Sequence, residues 1–230
     1  MVKNCILEKI TTMIVQIYSI TTPEEALRLC ELGVDHVGVM TGKVSGTYTQ
    51  DFESTRKIFE SITPPTKKVA FTKSNILSEL EEICRETKPD ILHISAFENI
   101  TEALLNKLKF KFSNIQLMKS IYVKDLNSII EAKHFQDLVD YILLDSQNDN
   151  SSFGATGKVN DWKLARKIVK TMQVPVILAG GLGTDNVVEA IKTVQPAGVD
   201  SMTKTNLKDS KFKDIDKVNE FVRLAKSSDY

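Results

Sequence analysis

Eight short apolar runs recur along the chain, each too short for a helix and each closed by turn or cap residues: MIVQIY (13–18), DHVGVM (35–40), KKVAFT (67–72), DILHI (90–94), IQLMKS (115–120), DYILLD (140–145), PVILA (175–179) and GVDSM (198–202). They show little polar alternation, which indicates strands covered on both faces and hence a parallel sheet. Stretches of helical period lie between them. Pro23 to Leu32 opens with a Thr-Thr-Pro-Glu-Glu cap, places Ala26, Leu29 and Cys30 on one face, and stops at Gly33. Asn75 to Arg85, with Ile76, Leu80 and Ile83 facing in, follows the same plan, as do Asp161 to Met172, Asp185 to Val194 and Asp214 to Lys226.

Eight such β/α units in one chain of 230 residues predict a closed (β/α)₈ TIM barrel with an eight-stranded parallel sheet. An open doubly wound sheet is the competitor. Its Gly-x-Gly-x-x-Gly turn is missing after the first strand, where Tyr18-Ser19-Ile20-Thr21 stands instead. No Pro/Gly/Ser-rich linker divides the chain, so residues 1–11 read as an N-terminal extension and 12–230 as a single barrel domain.

Charge narrows the partners. Lys+Arg and Asp+Glu are both 30, a formal charge of zero, which argues against a broad cationic face for nucleic acid. No apolar stretch approaches the roughly 20 residues that span a bilayer, and Lys3, Glu8 and Lys9 interrupt what a signal peptide would keep apolar. A cytoplasmic protein without membrane partners, monomer or homodimer, is the simplest expectation. Three cysteines (Cys5, Cys30, Cys84) without paired spacing and three scattered histidines (His36, His93, His134) suggest neither a disulfide framework nor a metal site, and no cofactor is expected.

In this fold the chemistry sits at the C-terminal ends of the strands. Gly154-Ala155-Thr156-Gly157 follows the sixth run, Gly180-Gly181 the seventh, and Thr203-Lys204 the eighth. Glycines there let backbone N–H groups approach an oxyanion, so these residues predict a phosphorylated small-molecule ligand. Read singly, either glycine motif is equally explained as a tight strand-to-helix turn. Lys73 and Lys119, also near strand ends, would suit a Schiff-base lyase. His93 reads either as an acid/base group or as a hydrogen-bonded interior histidine.

Taken together, Leu143-Leu144-Asp145-Ser146, Gly154-Ala155-Thr156-Gly157, Asp161-Trp162, Leu178-Ala179-Gly180-Gly181-Leu182, Asn186-Val187 and Gly198-Val199-Asp200 resemble the phosphoribosylanthranilate isomerase family of tryptophan biosynthesis. Ile20-Thr21-Thr22-Pro23-Glu24-Glu25-Ala26, Gly33-Val34-Asp35-His36-Val37-Gly38 and Met118-Lys119-Ser120-Ile121 extend the likeness collinearly over about residues 13 to 225. The resemblance implies an Amadori rearrangement of an N-linked ribose phosphate, with Asp145 as the general acid and a raised carboxyl pKa suited to that role. It also implies two departures. The family's strand-end cysteine base is replaced by Tyr18, in Gln16-Ile17-Tyr18-Ser19, and the arginine for the anthranilate carboxylate by Thr47. Tyr18 and His93 are then the candidates for the missing base, with the Tyr18 ring expected to intrude where a substrate ring sits. The alternative is a catalytically disabled barrel that binds a phosphorylated metabolite or a partner protein.

Overall fold

A computed structural model describes residues 12–43, 46–95, 99–145 and 161–228. The predicted extension, Cys5 and the Gly154–Gly157 segment lie outside them. The strands are β1 (Ile14–Tyr18), β2 (His36–Met40), β3 (Lys67–Thr72), β4 (Ile91–Ile94), β5 (Gln116–Tyr122), β6 (Tyr141–Asp145), β7 (Val176–Leu178) and β8 (Gly198–Ser201). Each pairs in parallel with the next, and β8 returns to β1 to close the barrel. Closure leaves no sheet edge to protect.

The helices are α1 (Pro23–Glu31), α2 (Phe52–Glu60), α3 (Leu77–Thr87), α4 (Glu102–Lys111), α5 (Asn127–Phe135), α6 (Trp162–Thr171), α7 (Val187–Val194) and α8 (Ile215–Lys226). Their starts are fixed locally. Thr22, Asp51, Thr101, Asp161 and Asp214 each accept a backbone N–H of the first turn, contributing about 1 kcal/mol apiece. In α3 the expectation needs correction: Leu80 and Ile83 are buried, but Ile76 stands outside the first turn and is 52% exposed.

Strand alternation sorts the apolar residues into two cores. One set, including Ile17, Val37, Ile94, Ile121, Leu144 and Leu178, faces the helices and joins their buried stripes. The other, Tyr18, Val69, Ile91, Met118, Tyr141, Leu143, Ile177 and Ala179, fills the barrel interior. The lower rim is pinned by a repeated device. Asp35, Asp90 and Asp140, each just before an even-numbered strand, accept at 2.8 Å from the backbone N–H of Val15, Lys68 and Leu117 on the preceding strand. Their own N–H groups donate back to the carbonyls of those residues, so each aspartate locks the register of one strand pair. Among the described residues no helix is long and apolar enough to cross a membrane.

Candidate active site

The strands end in a cavity at the barrel mouth. The β1, β3, β4, β5 and β6 ends contribute Tyr18, Phe71, Lys73, His93, Ser95, Ser120, Tyr122 and Asp145 to its lining; the segments after β7 and β8 contribute Gly180, Gly181, Thr203 and Lys204. Asp145, Tyr18, His93, Gly180, Gly181, Thr203 and Lys204, singled out from sequence, are therefore brought together.

Tyr18 is the pivot. Its side chain points into the barrel and is 7% exposed. It fits because residue 38, on the neighbouring strand, is glycine: a Cβ there would overlap the tyrosine ring. The ring thus rests on β2 and packs against Phe71 at 5.4 Å between centroids. Part of the ring is thereby absorbed into the wall, while Tyr18 still lines the cavity as expected. Its hydroxyl lies 2.5 Å from His93 Nδ1, and His93 Nε2 lies 2.7 Å from Ser120 Oγ.

Electrostatics assign the protons. Burial, reinforced by the charges of Asp200 and Asp145, holds the Tyr18 phenol well above its usual range. Burial, helped by nearby Lys119, drives His93 down to about 3. The phenol is therefore the donor to Nδ1, and the neutral imidazole donates from Nε2 to Ser120. Ser19, next along the chain, is 1% exposed and takes a left-handed φ of 66°. Among the described residues its Oγ finds no hydrogen-bond partner, so a glycine at this position would relieve both the backbone and the buried hydroxyl.

Asp145 ends β6 half-buried, facing the cavity. After β7, the strand next to β6, Gly180 and Gly181 adopt φ of +90° and +67°, conformations that side chains resist. Asn186 braces this turn, accepting from Gly183 N at 2.9 Å and donating to Gly181 O at 3.0 Å. Thr203 opens a 3₁₀ turn, Thr203–Thr205, and the Lys204 ammonium lies 3.2 Å from Asp185.

Lys119 does not belong to the site. Met118 and Ser120 point inward, so Lys119 points outward; it is buried in the helical layer, donating to Ser120 O at 2.6 Å and lying over the Phe135 ring at 5.4 Å. The strand-end lyase reading fails for it on direction alone. Cys84 is buried and its thiol is pushed up to about 12, whereas Cys30 is half-buried. Among the described residues, no group of three His, Cys, Asp or Glu side chains could hold a metal.

Sequence reasoning missed the polar floor. Gln16 donates to Asp200 at 3.2 Å and its carbonyl lies 3.0 Å from His36 Nδ1. Burial raises Asp200 and depresses Lys213, whose charges support one another. Lys213 Nζ donates to Met202 O at 2.6 Å and Asn206 Oδ1 at 2.7 Å, and its backbone N–H to Glu25 at 2.7 Å. This lysine thus ties the β8 turn to α1. The places of Asp200, His36 and Glu25 within the Gly198-Val199-Asp200, Gly33–Gly38 and Ile20–Ala26 motifs were the available signal; Lys213 lies in none of the quoted motifs.

Comparison with known proteins matches this chain, over residues 15–223, to the family described as N-(5′-phosphoribosyl)anthranilate (PRA) isomerase. N-(5′-phosphoribosyl)anthranilate isomerase 2 of Methanosarcina mazei is 34% identical over 220 residues, covering 94% of this chain and 95% of its own. The structure of the Pyrococcus furiosus enzyme of that name superposes with a TM-score of 0.75 at 26% identity, over 93% and 98% of the two chains. A phosphoribosylanthranilate isomerase structure in complex with reduced 1-(o-carboxyphenylamino)-1-deoxyribulose 5-phosphate gives 0.77 at 23% identity, over 93% and 98%.

Two outcomes follow from this geometry. Gly38→Ala should cost about 1–3 kcal/mol in urea unfolding and much less in a Tyr18→Ala background, since the penalty belongs to the contact between them. Equal costs in both backgrounds would show that the ring does not set it. His36 and His93, both lowered to about 3, should show no imidazole titration by NMR between about pH 5 and 8. Held neutral, they contribute stability fully above the unfolded value of about 6.5 and lose it as pH falls. A His93 midpoint near 6.5 would contradict the buried pair.

Proposed function

The chain belongs to the N-(5′-phosphoribosyl)anthranilate isomerase family, and on that premise we propose that its barrel mouth converts an N-linked ribose phosphate from aldose to ketose by Amadori rearrangement. The observation that carries the residue assignments is that one cavity is lined by Asp145 at the end of β6, by Tyr18 at the end of β1, and by the glycine pair and Lys204 after β7 and β8, the two strands between them.

The reaction needs one proton delivered and one removed. Asp145 gives its proton to the ribose ring oxygen. The ring opens, C1 becomes an iminium carbon, and the C2–H bond is acidified. The C2 proton passes to the Tyr18 oxygen as the phenol hands its own proton along the 2.5 Å bond to His93 Nδ1. Electrons from the C2–H bond form the C1–C2 double bond and neutralise the iminium nitrogen, and the resulting enol-amine tautomerises to the ketose. A phenol alone, with its pKa raised, is a poor base; coupled to a neutral imidazole it need never become a free phenolate. Charging His93 next to the field of Lys119 opposes this step, so slower turnover than with a cysteine thiolate is expected. The phosphate is assigned to Gly180, Gly181, Thr203 and Lys204, where glycine backbone and a lysine side chain line the cavity together. The Gly154–Gly157 segment is assigned to the same role on sequence grounds.

Purified protein should consume phosphoribosylanthranilate, followed by loss of its fluorescence. Asp145→Asn and Tyr18→Phe should each lower kcat by about 10²–10⁴-fold while leaving affinity for the reduced product analogue nearly unchanged. Folded protein without turnover would overturn the isomerase reading in favour of a binding role; full activity in either variant would remove that residue from the mechanism.

A further inference from the structure

We propose that Lys73 holds the carboxylate of the substrate's aminobenzoate ring, so that the ligand lies across the mouth with its phosphate at the β7–β8 side and its ring against β3. The inference rests on the isomerase reading and adds the residue that selects a carboxylated aromatic amine.

The substrate carries an anion at each end, a phosphate on the ribose and a carboxylate on the ring. Among the described residues lining the cavity, the side chains with a permanent cation are Lys73 and Lys204; His93 is held neutral. Lys204 lies beside the glycine pair, on the phosphate side. In a closed ring of eight strands, β3 stands four places from β7 in either direction. Lys73, just past β3, therefore faces Gly180 and Gly181 across the mouth. Two cations on opposed walls match two anions on opposite ends of one ligand.

The two walls also differ in character. Beyond β7 and β8 the described lining is Gly180, Gly181, Leu182, Met202, Thr203 and Lys204, without an aromatic ring, whereas around Lys73 it includes Phe71, Met40 and Tyr122. Phe71 and Lys73 are two residues apart on one strand line and so share a face. An aromatic ring bearing a carboxylate needs such a pairing, an apolar wall with a cation at its end. The Tyr122 and Ser95 hydroxyls, 3.1 Å apart on the neighbouring strands, add polar groups to this wall.

The turn after Lys73 is held from within. Ser74 N donates to Thr72 Oγ1 and Ile76 N to Ser74 Oγ, both at 3.2 Å, while Ser74 Oγ donates to Glu79 at 2.7 Å. The backbone that presents Lys73 is thereby fixed before any ligand arrives, which lowers the cost of ordering it. Burial already disfavours the Lys73 charge, and an incoming carboxylate offsets that penalty. The β2–α2 connection supplies no rival among its described residues: Thr47 is exposed, and Lys43 pairs with Glu82 at 3.0 Å, away from the cavity lining.

The test is calorimetric titration of wild type, Lys73→Met and Lys73→Arg with two ligands. These are reduced 1-(o-carboxyphenylamino)-1-deoxyribulose 5-phosphate and its phenylamino counterpart lacking the carboxyl group. Lys73→Met should weaken the carboxylated ligand by about 10–100-fold and leave the other within about twofold, which also reports that the variant is folded. Lys73→Arg should retain most of the carboxylate-dependent affinity. Equal weakening of both ligands by Lys73→Met, or of neither, would overturn the assignment while leaving the isomerase reading intact. Wild-type protein that binds neither ligand would overturn both.

Discussion

A phenol lying on a glycine organises this barrel mouth. Inside a closed, densely packed sheet there is no spare volume, and the ring of Tyr18 finds room because Gly38 presents no side chain beneath it. Seated there, the hydroxyl is within 2.5 Å of His93 on β4, and His93 is tied in turn to Ser120 on β5. One strand end is thus connected through polar atoms to the far side of the interior. Burial then fixes the protons along that chain, with the phenol protonated and the imidazole neutral. The chemistry available at the mouth depends on that state.

Below this layer the interior is polar, and that polarity is satisfied within the fold. His36, Gln16 and Asp200 form a connected set across β2, β1 and β8. Lys213 faces Asp200 electrostatically from the segment following β8 and holds Met202 and Asn206 in place. A buried lysine or aspartate without a partner would cost several kcal/mol; here each lowers the cost of the other while shaping the turn that carries Thr203 and Lys204. Glu25, accepting from Lys213 N and from Thr21, stitches α1 to the same turn. Charges buried for structural reasons thus brace the β8 turn, the part of the mouth proposed above to take the phosphate.

Strand positions were legible because each strand is a short apolar run; KKVAFT coincides with β3, and only β5 extends further, where Ile121 and Tyr122 continue pairing with Leu144 and Asp145. Helices α4 and α5 escaped because their patterns are blurred: α4 exposes Phe110 at 92% and α5 exposes Ile130 at 67%, placing apolar residues on the solvent side, whereas α2, with Ile58 and Phe59 buried, was missed despite a clear apolar face. Asp145 and the Gly180–Gly181 pair could be placed at the mouth because strand ends in a barrel converge. The direction of Lys119 could not, since a one-residue change of strand register reverses every side chain. Nor could the bond between Tyr18 and His93, which are 75 residues apart and meet only through barrel closure. Lys73 was visible as a strand-end lysine, but its place opposite the glycine pair is a property of the eight-strand ring.

The central claim is that Tyr18, backed by neutral His93, occupies the working position of the related family's cysteine. The most direct measurement is a crystal structure of this chain with the reduced product analogue bound. The account predicts C2 of the sugar about 3–3.5 Å from the Tyr18 oxygen, a near-attack distance, with the His93 bond kept and Asp145 beside the oxygen that leaves C1 when the ribose ring opens. A bound sugar whose C2 lies beyond reach of Tyr18, with another side chain against it, would contradict the account.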